Sequence, residues 1–153
     1  MTKRFRIPIT VLTVIYAVTM FFMLLIRTVG HDVDFSYWTY LKANVNLIPF
    51  ATITEYYRRL SAETINRGVV YRNLIGNVVL FIPLGLIFPY FAEKCRKLLP
   101  CLMYSAATMA TVEVLQLLTR QGSFDVDDII LNTFGALIGF CIFSIFGKVL
   151  IKE

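Results

Sequence analysis

Four long stretches of the chain have almost no charged side chains, and this feature constrains the fold more than any other. Residues 7–26, 73–92 and 129–147 contain no Asp, Glu, Lys or Arg, and residues 98–119 contain only one, Glu113. Each stretch is close to the ~20 apolar residues that a helix needs to cross a bilayer. We therefore expect an all-α polytopic membrane protein with four transmembrane helices formed by these stretches.

The composition agrees with a protein that is embedded in lipid. Of the 153 residues, 58% are hydrophobic and 16% are charged, whereas soluble domains are roughly half apolar and about a quarter charged. No basic helix with interleaved aromatic residues is present, so we expect the lipid bilayer as a partner and no nucleic acid. The length suits one domain, and we treat residues 1–153 as a single membrane domain.

The basic start of the chain raises the alternative of a secretory signal peptide. Lys3, Arg4 and Arg6 precede the first apolar stretch. That stretch exceeds the ~7–15 residues of a signal-peptide core, and no A-x-A cleavage site follows it. We therefore expect residues 7–26 to remain as the first span.

Basic residues beside the four stretches predict their orientation. They are concentrated before the first span, in the short connection between the second and third, and after the fourth: Lys3, Arg4, Arg6, Lys94, Arg96, Lys97, Lys148 and Lys152. The positive-inside rule places these segments in the cytoplasm. Both termini are then cytoplasmic, and residues 27–72 form an extracytoplasmic segment.

Part of this outer segment has the pattern of a short amphipathic helix. Residues 51–68 carry apolar and charged side chains at helical spacing, with Thr52 or Thr54 suited to cap the start and Gly68 suited to end it. Such a helix would lie at the interface of the outer leaflet.

Two glycines in the fourth span indicate close helix packing. Gly135 and Gly139 lie four residues apart, and small residues at this spacing allow another helix to approach closely. We expect a partner helix within the same chain.

Glu113 is the one charge inside the spans, so its depth matters. It lies six residues before Thr119, which is roughly 9 Å from the outer end of the third span. Gln116 and Arg120 follow at helical spacing and share its face. Because a carboxylate in a membrane is costly unless it faces partners or water, it indicates a functional site.

Polar residues of the neighbouring spans are expected at the same depth. Arg72 and Asn77 lie at the outer start of the second span, and Asp125, Asp128 and Asn132 lie at the outer start of the fourth. Together with the third span, they predict a polar pocket that opens outward.

The residues leave the chemistry of this pocket open. The catalytic candidates and the candidate ligands of a divalent cation such as Mg²⁺ or Ca²⁺ are the same acids: Glu113, Asp125 and Asp128. The candidates for substrate binding are Asn77, Gln116, Asn132, Arg72 and Arg120, with the arginines suited to phosphate. Alternatively, the amides and Glu113 only join helices, and the two aspartates only cap and complement the start of a helix. The single His31 has no companions for a zinc site.

Four motifs give the chain a resemblance to the VanZ-like family of bacterial membrane proteins. They are "NLIPF" at 46–50, "GNVVLFIPLG" at 76–85, "EVLQ" at 113–116 and "DVDDIILNTFGALIG" at 125–139. The candidate acids and amides fall on the family's N-x-x-x-F-x-P-x-G, E-x-x-Q and D-x-x-D-x-x-x-N-x-x-G patterns. The resemblance implies a cytoplasmic-membrane protein linked to low-level resistance to teicoplanin-type glycopeptides in Gram-positive bacteria.

Three functions remain as hypotheses. The first is a protein that binds or modifies a cell-envelope component at the outer leaflet, with a lipid-linked wall precursor or the glycopeptide as partner. The second is a membrane enzyme for a lipid-linked or phosphate-bearing substrate, with Glu113 or Asp128 as base or metal ligand. The third is a scaffold in which the polar layer only packs helices.

Overall fold

The computed structural model describes the backbone of residues 3–25 and 36–151 and the side chains of residues 7–23 and 36–147. The rest of the chain, which includes His31 and the beginning of the predicted outer segment, lies outside the described residues.

The described chain is helical, with one very short pair of strands. In chain order the elements are α1 (Lys3–Leu25), α2 (Tyr37–Ala43), β1 (Val45–Asn46), α3 (Ala51–Ser61), α4 (Arg67–Phe91), a 3₁₀ helix (Glu93–Arg96), α5 (Leu98–Leu118), β2 (Phe124–Asp125) and α6 (Val126–Ile151). The expected all-α class is confirmed.

Three helices have the length and hydropathy of membrane spans. They are α4, α5 and the Val126–Gly147 part of α6, and they correspond to the second, third and fourth predicted spans. The apolar part of α1 that the structure describes, Ile7–Met23, is shorter. The first span therefore stays a prediction.

Helices α4 and α6 pack with their backbones in close contact, and glycines make this possible. A Cβ atom at Gly139 would lie 2.0 Å from the carbonyl oxygen of Ile82, and one at Gly135 would lie 2.1 Å from that of Val78. From the α4 side, a Cβ at Gly85 would meet the carbonyl oxygen of Ala136 at 2.0 Å. The prediction that the glycine pair packs within the chain is confirmed.

Helix α1 joins this bundle through its middle. The hydroxyl of Tyr16 donates a hydrogen bond to the carbonyl oxygen of Leu80 at 2.8 Å, and Met20 is buried with Phe81 and Met109. These contacts connect α1 to both α4 and α5.

The predicted amphipathic helix ends earlier than its sequence indicates. Helix α3 ends at Ser61, and Gly68 lies inside α4. Glu63 adopts a left-handed φ of 55°, and the Thr64 N–H donates to the carbonyl oxygen of Arg59 at 2.9 Å, which is the bond that closes a Schellman motif. Asn66 then begins α4 as its N-cap by accepting from the Gly68 N–H at 2.7 Å.

The pairing of the two strands determines which interhelical segments lie at the same end of the bundle. Strand β1 pairs in parallel with β2, with Val45 opposite Phe124 and Asn46 opposite Asp125. This pairing places the segment before α4 at the same end of the bundle as the α5–α6 connection. Because α4 and α5 run antiparallel, the 3₁₀ helix between them lies at the opposite end.

Candidate functional site

Most of the buried polar side chains of the described residues lie at one end of the bundle. Five of the six belong to the end of α5, to β2 and to the start of α6; the sixth, Ser105, lies in the other half of α5. The five are Glu113, Gln116, Asp125, Asp127 and Asn132. We call these five residues the acid–amide cluster. It contains four of the eight site residues that the sequence predicts, and a fifth residue, Asp127, that the sequence did not single out.

Asp125 connects three parts of the chain. Its backbone N–H donates to Oε2 of Glu113 at 3.2 Å, and its carboxylate accepts from the hydroxyl of Thr52 and from Nδ2 of Asn46 at 3.2 Å. The same carboxylate accepts from the Asp127 N–H at 2.9 Å, which is the arrangement of a helix N-cap. Asp125 thus caps α6 and also joins the segment before α4 to α5.

Asp127 is the residue that the sequence analysis missed. Its side chain is fully buried, and it accepts hydrogen bonds from the backbone N–H groups of Phe50, Thr52 and Ile53, the last two at 2.9 and 3.1 Å. These donors form the start of α3, where the helix dipole favours a negative charge. The only available signal was its position as the second acid of "DVDD", residues 125–128.

This arrangement replaces the cap that the sequence predicted for α3. Thr52 bonds to Asp125 through its hydroxyl instead of capping its own helix, and Thr54 makes no such cap. The N-cap position is Phe50, which adopts a left-handed φ of 64° and forms no side-chain cap. A non-glycine residue seldom adopts this conformation, and the Asp127 carboxylate stabilises it by accepting the Phe50 N–H.

A second polar contact joins α4 to α6. Nδ2 of Asn77 donates to Oδ1 of Asp128 at 2.5 Å. One turn deeper, Asn132 is only 1% exposed, and neither its amide nitrogen nor its amide oxygen has a hydrogen-bond partner among the described residues. Since buried polar atoms are nearly always paired, this amide has unused capacity for a ligand or a water molecule.

The two predicted arginines lie apart from the carboxylates. The guanidinium of Arg120 lies over the rings of Tyr37 and Tyr40, 4.9 and 5.7 Å from their centroids. Arg72 is exposed, and neither arginine forms an ion pair with an acid in the described residues. Their expected role on phosphate therefore has no support from the geometry of the cluster.

The tyrosines beside Arg120 hold the α5–α6 connection. The hydroxyl of Tyr40 donates to the carbonyl oxygen of Gly122, and that of Tyr37 donates to the carbonyl oxygen of Leu118 at 3.3 Å. Burial raises the pKa of the Tyr40 phenol above its ordinary value, so the group remains a donor at neutral pH. Helix α2 is thereby attached to the same end of the bundle as the acid–amide cluster.

The carboxylates do not form a recognisable metal-binding set. Within the described residues, no group of three or more His, Cys, Asp and Glu side chains is arranged to hold a metal ion. The oxygens of Asp125 and Asp127 accept hydrogen bonds from protein donors instead. The cation-ligand role of Glu113, Asp125 and Asp128 therefore rests on the sequence alone.

The described part of the structure has three apolar helices of spanning length, with buried acids and amides at one end. These are the features of a helical membrane protein. The comparisons specify the family. A sequence profile of the VanZ/LLP1 family matches residues 10–147, and the chain belongs to this family. It is 25% identical over 137 residues to Protein VanZ of Enterococcus faecium, covering 90% of this chain and 74% of that protein. No solved structure matches the chain.

Proposed function

We propose that the protein acts at the outer face of the bacterial cytoplasmic membrane, where it lowers susceptibility to teicoplanin-type glycopeptides by binding a lipid-linked wall precursor. The observation that carries this proposal is the acid–amide cluster at one end of the spans. Family membership supports the link to resistance, because the relative in Enterococcus faecium is a VanZ protein.

The orientation of the cluster in the cell follows from charge. The 3₁₀ helix at the opposite end contains Lys94 and Arg96, and Lys97 follows it. The positive-inside rule directs this end to the cytoplasm, which directs the cluster outward. With α1 as the first of four spans, both termini are cytoplasmic and α3 lies at the outer leaflet.

Binding is a better match to the cluster than acid–base catalysis. Asp125 and Asp127 use their oxygens to position α3 and α6, so neither resembles a base that is free to accept a substrate proton. The buried amide of Asn132 and the Asn77–Asp128 pair offer hydrogen bonds near the same end. These groups are suited to recognise polar parts of a precursor headgroup.

An enzyme remains the second candidate because of Glu113. It is 2% exposed and lies beside the N-cap of α6, and an ionisable residue buried at such a place marks a candidate functional site. In this case Glu113 or Asp128 would act on a lipid-linked or phosphate-bearing substrate.

Drug susceptibility of an expressing host tests the proposed function. In a susceptible Gram-positive strain, the protein should raise the inhibitory concentration of teicoplanin more than that of vancomycin. Membrane fractions should be blotted to show that the protein is present. An unchanged response to both drugs, with the protein in the membrane, would contradict the proposal.

A further inference from the structure

A cavity lies at the end of the bundle opposite the acid–amide cluster. It has a volume of about 680 Å³ and is lined by residues of the 3₁₀ helix, of the connection that follows it and of α5: Glu93, Lys94, Lys97, Pro100, Met103, Tyr104 and Ala107. We call it the basal groove. It contains none of the residues of the acid–amide cluster.

The walls of the basal groove are apolar and follow the axis of a spanning helix. Pro100, Met103, Tyr104 and Ala107 have the i, i+3, i+4 and i+7 spacing of one helix face. Over seven residues this face extends about 10 Å. The ring of Tyr104 lies 6.4 Å from that of Phe88 on α4, which supports one side of the groove. An aliphatic chain fits such a wall.

The rim of the basal groove is positively charged. Arg96 pairs with Glu93 at 3.6 Å, which offsets the one acid of the rim. Lys94 and Lys97 are exposed, and neither forms an ion pair in the described residues. Two unneutralised cations therefore lie directly above an apolar wall.

We propose that the basal groove binds an anionic phospholipid, with its phosphate at Lys94 and Lys97 and one acyl chain along Met103, Tyr104 and Ala107. Charge complementarity identifies the occupant, because a basic pocket at the end of a spanning helix suits the headgroup of an anionic lipid. The lysine stems can follow the apolar surface while their ammonium groups stay at the headgroup level.

Fluorescence quenching by brominated lipids tests this proposal in the full-length protein. The chain contains one tryptophan, so Met103→Trp in a Trp38→Phe background places the only indole in the groove. In phosphatidylcholine nanodiscs, brominated phosphatidylglycerol should quench this indole more strongly than brominated phosphatidylcholine at equal mole fraction. The expected preference is about fivefold in relative affinity for each lysine.

Two variants separate a site from simple surface charge. Lys94→Gln with Lys97→Gln should remove the preference, while Lys42→Gln, a control on exposed α2, should leave it unchanged. Ala107→Phe fills the groove and keeps both lysines, and it should also reduce the preference. Equal quenching by both lipids, or a preference that survives either the double lysine variant or the filled groove, would overturn the proposal. Circular dichroism of each variant confirms that the helices are intact.

Discussion

Asp127 shows how this protein keeps an acid in a fully buried position. Its carboxylate receives three backbone N–H groups at the start of α3, and these replace the water that a free carboxylate would bind. Hydrogen bonds to a charged acceptor contribute about 1.5–3 kcal/mol each, and an unmade bond leaves a buried donor unsatisfied. The acid is therefore a strong attachment between α6 and the start of α3.

Asp127→Asn should lower stability because the amide nitrogen replaces one carboxylate oxygen and cannot accept the backbone N–H groups that bond to that oxygen. We expect a loss of roughly 3 kcal/mol, seen as a lower melting temperature of the detergent-solubilised protein. Glu55→Gln also removes one negative charge, in the second turn of α3, where Glu55 pairs with Arg58 and Arg59 at the surface, and it should change the melting temperature far less. Equal effects of the two variants would contradict the role given to Asp127.

At the scale of helices, the close approach of α4 and α6 depends on glycines, because a side chain at these positions would collide with the backbone of the opposite helix. Gly139→Ala would place a methyl group 2.0 Å from the Ile82 carbonyl oxygen, so the helices must separate. We expect a loss of at least 1–3 kcal/mol, typical of overpacking. Thermal unfolding in detergent measures it.

Gly76 on α4 provides the matched control for this packing. A Cβ there meets no atom within 4 Å, so Gly76→Ala should be neutral or should stabilise the helix by up to about 1 kcal/mol. If Gly139→Ala were as stable as Gly76→Ala, the packing described for α4 and α6 would be wrong.

The sequence was sufficient to predict the long helices and insufficient to predict the structure of the segment before α4. The apolar run over 98–119, with Glu113 as its one charge, predicted α5, which runs from Leu98 to Leu118, because a chain segment in lipid must satisfy its backbone hydrogen bonds within a helix. The start of α3 depends instead on Asp127, which lies 75 residues from Thr52 in the chain. Because the capping carboxylate lies so far away in the chain, no sequence pattern near the start of α3 predicts this cap.

At the scale of the whole molecule, topology can be tested by cysteine labelling. Ser61 and Ser123 are exposed at the end of the bundle that holds the acid–amide cluster, and Lys94 is exposed at the other end. In a background without Cys95, Cys101 and Cys141, an impermeant thiol reagent added to intact cells should label Ser61→Cys and Ser123→Cys but not Lys94→Cys. Labelling of Lys94→Cys alone would show that the protein has the opposite orientation, and it would contradict the proposed function.

Much of the candidate site could be predicted by depth along the helices. Counting helical turns from the ends of the predicted spans placed Glu113, Gln116 and Asn132 at a similar depth. All three are buried in the structure. The same counting placed Arg120 beside Glu113, whereas its guanidinium lies over Tyr37 and Tyr40. Counting along a helix gives depth, but it does not give the direction of a long side chain after the helix has ended.

The central claim is that the acid–amide cluster is the functional part of the protein, and Glu113→Gln tests it most directly. The side-chain oxygen of the new glutamine can still accept the Asp125 N–H. The fold should therefore persist while the negative charge of Glu113 is lost. Glu63→Gln, at an exposed position, is the control. Teicoplanin inhibitory concentrations should be measured in a host that carries equal amounts of each variant in its membrane. The account predicts that Glu113→Gln falls to the value of the empty host and that Glu63→Gln keeps the wild-type value; full protection by Glu113→Gln would contradict it.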